Sequence, residues 1–148
     1  MKGTDQFHIG VIVDDFDATL SQLTEMFGYE WSPPISVAMP VTLPDEEVTL
    51  DMRLTYSKTE PRVEVVQSIA GTLWVPAPGS GVHHAGYWSD DLLADAAILE
   101  AHGYAVEARG IQPDGSLTWA YHRNPSGIRV ELVSRALQPG LEQWWSSE

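Results

Sequence analysis

The chain has 148 residues, 43% of them hydrophobic, enough for one domain with a real core and too few for two of ordinary size. Eight basic residues stand against 21 acidic ones, a net charge of −13, so the surface repels phosphate backbones and excludes nucleic acid as a partner. There is no cysteine, which removes disulfides, zinc ribbons and thiol nucleophiles, and no apolar run reaches membrane-spanning length.

The start, Met1-Lys2-Gly3-Thr4-Asp5, lacks the apolar stretch of a signal peptide, so a cytoplasmic protein without membrane association is expected. Residues 6–13 then alternate as a short strand does. Asp14 or Asp15 is placed to cap the helix that follows, in which Phe16, Leu20, Leu23 and Phe27 recur on one face. Gly28 is suited to end that helix in the left-handed conformation. Strands are expected near 34–42, 48–57 and 62–68, followed by a glycine- and proline-rich linker.

The same order then repeats. His8-Ile9-Gly10 and Asp14-Asp15 match His84-Ala85-Gly86 and Asp90-Asp91 at an offset of 76. Gly28-Tyr29 matches Gly103-Tyr104, and Arg62-Val63-Glu64-Val65-Val66 matches Arg129-Val130-Glu131-Leu132-Val133. Asp90 or Asp91 caps the second helix, whose stripe is Leu92, Ala96 and Leu99. Strands follow near 104–110, 116–122 and 128–134, separated by the turns Pro113-Asp114-Gly115 and Asn124-Pro125-Ser126-Gly127. Three matches in one order indicate a duplication. The fold expected is α+β: two tandem βαβββ modules forming a cupped, largely antiparallel sheet with flanking helices. Residues 1–148 make a single domain, with module 1 over about 6–68, a linker over about 69–82, module 2 over about 83–135 and a C-terminal extension over 136–148.

Strand alternation places His8 with Gly10, His84 with Gly86, Arg62 with Glu64 and Arg129 with Glu131. Two imidazoles and two carboxylates suit a divalent ion and leave coordination positions open. A glutamate inside an apolar strand is costly unless something satisfies it. The acidic surface gives no global attraction to an anionic ligand, so such a ligand needs local arginines; Arg62 and Arg129 are the candidates. Trp88, Trp74, Trp119 and Tyr121 are candidate aromatic walls.

The His-x-Gly-x-x-x-Asp-Asp pattern, the helix ending in Gly-Tyr and the closing Val-Glu-Leu-Val resemble the vicinal oxygen chelate group, the glyoxalase, bleomycin-resistance and dioxygenase superfamily. Gly81-Val82-His83-His84 leading into Asp90-Asp91-Leu92 is similar to methylmalonyl-CoA epimerases and glyoxalase-like proteins. The resemblance spans residues 6 to 135 and implies His8, Glu64, His84 and Glu131 as ligands of one divalent metal ion (Zn, Ni, Co, Mn or Fe(II)). Strand parity turns His83 to the opposite side and favours His84. A departure is Asn124 where relatives carry Asp, and the further carboxylate base of the epimerases has no clear match at Glu46 or Glu47.

The activity implied is that of an isomerase, epimerase or lyase. It would remove a proton next to a carbonyl or thioester through a metal-stabilised enolate, with Glu131 and Glu64 as bases and Trp88, Arg62, Arg129, Trp74 and Tyr121 around the substrate. The partners expected are an acyl thioester, a 2-oxoaldehyde adduct or an aromatic compound, and a second copy in a homodimer. The alternatives are a non-haem iron dioxygenase and a non-catalytic protein that sequesters an antibiotic or other small molecule. The cup could form within one chain or across a swapped dimer.

Overall fold

A computed structural model describes residues 1–148. The first module runs β1 (Gln6–Val13), α1 (Phe16–Phe27), β2 (Ile35–Thr42), β3 (Glu47–Tyr56) and β4 (Arg62–Gln67). The second runs β5 (Val82–Ser89), α2 (Leu92–Ala101), β6 (Ala105–Ile111), β7 (Leu117–Arg123) and β8 (Arg129–Ser134). A 3-10 turn and a short helix, α3 (Gln138–Trp145), complete the chain. No helix is long and apolar enough to cross a membrane.

Asp15 and Asp91 are the caps: each carboxylate accepts the amide three residues on, Ala18 and Ala94, at 3.0 Å. Gly28 and Gly103 take φ of 72° and 84° beyond the helix ends, a conformation that costs glycine little. The two helices bury themselves unequally. Leu92 and Leu99 of α2 pack on Ala120 and Leu132. In α1 only Phe16 is buried, Leu20 and Leu23 are half-buried, and Phe27 at the end of the expected stripe is 70% exposed. Met26 in the same last turn is also exposed, and the Phe27 ring meets Tyr29 only edge-on, with centroids 6.4 Å apart.

Each module forms a four-stranded sheet, β1-β4-β3-β2 and β5-β8-β7-β6. Only β1–β4 and β5–β8 pair in parallel, so the sheet is largely antiparallel as expected. β1 and β5 join the modules edge to edge. The sheet curls further than a cup: its outer edges meet where Thr42 of β2 pairs with Arg109 of β6, closing a barrel of eight strands. Between β4 and β5 the chain carries Trp74 into the barrel, where it packs with Ile12, Val41, Met52, Val66, Ala108 and Tyr121. The C-terminal extension folds back, burying Trp145 against Tyr56, Trp88 and Val133.

Candidate metal centre

The β1–β5 seam is the origin of the site. His8 pairs with Gly86 and Gly10 with His84 across it. Glu64 on β4 stands beside Gly10, and Glu131 on β8 beside Gly86. Two rows therefore cross the seam, Glu64–Gly10–His84 and Glu131–Gly86–His8. A Cβ on Gly10 would overlap the His84 imidazole, and one on Gly86 the His8 imidazole. The glycines clear a path for each ring to reach a glutamate two strands away.

The reach is short. His84 Nε2 lies 3.1 Å from Glu64 Oε2, and His8 Nε2 lies 3.0 Å from Glu131 Oε2. The diagonal pairs are His8–Glu64 at 3.7 Å and His84–Glu131 at 3.3 Å, and the two Nε2 atoms are 3.1 Å apart. All four side chains are buried, yet Oε2 of both glutamates lacks a hydrogen bond of proper angle. These close approaches gather the four ligand atoms around a common centre. The four ligand atoms lie within 4.8 Å of one another and could hold a metal ion. Bonds of about 2.0–2.2 Å to a divalent ion set neighbouring ligands roughly 3 Å apart or slightly more, which this donor set fits.

Burial disfavours the His84 imidazolium, but Glu131 and Glu64 outweigh it and raise the pKa to about 9. Burial likewise works against the Glu131 carboxylate, which His8 and His84 nonetheless hold down at about 2. Tyr56 and Tyr121 are driven well above the usual phenol range by burial and then by the two glutamates, so both remain neutral.

His83 does not turn away as strand parity requires. Gly10 pairs with His84 but Val11 pairs with Val82, leaving His83 as the extra residue of a β-bulge. Its ring swings onto its neighbour, with Nδ1 of His83 and His84 3.0 Å apart. Nε2 of His83 donates to the Leu73 carbonyl at 2.8 Å, and burial lowers its pKa to about 4, so its Nδ1 is left as an acceptor. His84 must then donate from Nδ1, which frees its Nε2 lone pair for the centre when the ring is neutral. A matching bulge in β1 puts Phe7 in the equivalent place, and His8 Nδ1 has no partner.

A cavity of about 170 Å³ opens beside the glutamates, lined in part by Glu64, Glu131, Trp74, Trp119 and Tyr121. Tyr56, Met52 and Leu54 of β3 and Leu137, Leu141 and Trp144 of the C-terminal extension also line it. The sequence comparison missed these; the extension has no counterpart in the other module. Trp88, Arg62 and Arg129 lie elsewhere. Trp88 stacks on Phe7 at 3.8 Å and lines, with Arg62, a separate outer groove of about 900 Å³ that neither glutamate reaches. The Arg62 guanidinium donates to the Ser57 and Lys58 carbonyls and covers the Trp145 ring at 4.2 Å. Arg129 is tied to Glu107 at 2.6 Å. Both arginines were expected in the cup; protein partners hold both out of the cavity. Glu46 and Glu47 are exposed between β2 and β3 and at the start of β3.

The fold matches solved structures. A variant of Streptomyces coelicolor methylmalonyl-CoA epimerase in complex with 2-nitronate-propionyl-CoA is 21% identical, with 89% of this chain and 94% of that one covered and a TM-score of 0.62. Methylmalonyl-CoA epimerase from Mycobacterium tuberculosis is 16% identical, with coverage of 93% and 92% and a TM-score of 0.61. A hypothetical protein from Bacillus halodurans C-125 is 14% identical over 88% and 93%, with a TM-score of 0.56. At such identities the likeness is one of fold. No curated protein matches in sequence. Residues 7–121 match the profile of one family, and the chain accordingly belongs to the glyoxalase/bleomycin resistance protein/dioxygenase superfamily.

Proposed function

We propose that His8, Glu64, His84 and Glu131 hold one divalent metal ion and that the protein removes a proton next to a carbonyl, as an epimerase, isomerase or lyase of its superfamily. The observation that carries this reading is the convergence of the four ligand atoms within 4.8 Å, with both glutamates lining an adjoining cavity. All four residues are brought together within this one chain. When bound, the ion supplies Lewis-acid stabilisation of negative charge developing on a substrate oxygen. Glu64 and Glu131 are the only carboxylates lining the cavity, which makes them the candidates to take and return the proton. The neutral phenols of Tyr56 and Tyr121, in the same lining, are available as hydrogen-bond donors.

Protein purified without chelator should carry about one metal ion per chain. It should also exchange the α-proton of a carbonyl substrate with solvent deuterium, an exchange that Glu131→Gln abolishes. Metal-replete protein that exchanges no proton across acyl thioesters, 2-oxoaldehyde–thiol adducts and aromatic ketones would falsify the enzymatic reading. One further reading has an observation behind it: the cavity's almost wholly apolar lining favours sequestration of an aromatic compound, which would show as tight binding without turnover.

A further inference from the structure

The cavity beside the glutamates is small and lacks cations. Its volume of about 170 Å³ is close to the roughly 150 Å³ of an apolar protein cavity that takes up benzene. Fourteen of its sixteen lining residues are hydrophobic, and Glu64 and Glu131 are the other two. Every one of the six arginines is ion-paired to a carboxylate outside it, and neither lysine lines it. Two carboxylates neutralise a divalent cation, so a loaded centre has no surplus charge with which to draw in an anion. Leu137, Leu141 and Trp144 roof the space, and Trp144 is latched to the Pro33 carbonyl at 2.9 Å. Ile35 and Val37, 39% and 36% exposed, mark the way in beside β2.

We propose that this cavity binds a compact, uncharged molecule of single-ring size, with an oxygen directed at the Glu64–Glu131 end, and that it discriminates against coenzyme A thioesters. A thioester of coenzyme A brings several phosphate charges to a surface of −13, and no lysine or arginine lines the cavity to receive them. The proposal rests on the metal-centre reading only for the direction of the ligand's oxygen; size and charge selection follow from the lining.

The test uses the intact chain, zinc-loaded and metal-free, with p-cresol and propionyl-CoA as probes in equilibrium dialysis. p-Cresol is expected to bind at least tenfold more tightly than propionyl-CoA to both forms, quenching the fluorescence of Trp74, Trp119 and Trp144, which line the cavity. Ile35→Trp, which fills the entrance, should weaken p-cresol at least tenfold and leave the zinc content unchanged. Propionyl-CoA binding as tightly as p-cresol, or p-cresol affinity untouched by Ile35→Trp, overturns the proposal. Zinc content is read separately: protein that takes up no zinc and still prefers p-cresol supports this inference while removing the metal centre.

Discussion

An alanine methyl at Gly86 or Gly10 would stand where an imidazole now lies, so the ring must leave its row. Gly86→Ala should cost about 1–3 kcal/mol by overpacking and abolish zinc binding, read by thermal unfolding and metal titration; unchanged zinc affinity would refute the row geometry. His83 acts through its neighbour. Replacing it by Phe removes the acceptor of the His84 Nδ1–H, and zinc affinity should fall roughly 10–100-fold, with partial recovery in His83→Gln, which restores an acceptor. Proton linkage supplies a third check. With His84 raised to about 9, the metal-free protein carries that proton at pH 7, and a ligand imidazole must release it. Zinc binding at pH 7 should release about one proton from this group, measurable by calorimetry in buffers of different ionisation enthalpy. The sign for stability follows from a raised pKa: in metal-free protein the His84 contribution is full below 6.5 and is lost as pH rises through about 9. The zinc-loaded protein should show no such decline.

Elements with equivalent sequence signals carry unequal weight here. Asp15 and Asp91 make the same cap, yet α2 is anchored by Leu92 and Leu99 whereas α1 is anchored mainly by Phe16. Asp91→Ala should therefore lower global stability by about 1 kcal/mol, while Asp15→Ala mainly frays α1; urea unfolding beside helix-specific amide exchange separates the two. The strands themselves were legible because apolar alternation and turn residues bounded them. The bulges were not. Alternation assumes a regular ladder, and the extra residue at His83 becomes visible only when β1 and β5 are paired. The tandem Trp144-Trp145 marks the C-terminal extension as a segment that packs back on the body, but not as the roof of the cavity, since Leu141 and Trp144 have no repeat partner to mark them.

At the scale of the whole molecule, the duplication made the four buried His and Glu side chains legible, because each had a counterpart at the same place in the other module. The fate of Arg62 and Arg129 was not legible. Their partners, the Ser57 and Lys58 carbonyls, Trp145 and Glu107, are fixed by loops and by strand packing that the repeat does not encode. Nor did the pattern reveal that the cup would close on itself through one residue pair, Thr42 with Arg109. That closure divides the barrel into a spine and a clasp. The spine is the β1–β5 seam, which carries both histidines and flanks both glutamate strands. The clasp is a single pairing at the end of β2, the strand whose other end borders the cavity entrance. β2 amides that point away from β3 should exchange with solvent first and those of β1 and β5 last, as hydrogen exchange resolved by residue would show. A molecule hinged in this way can unfasten along one edge to admit a ligand while the residues gathered along the spine keep their places.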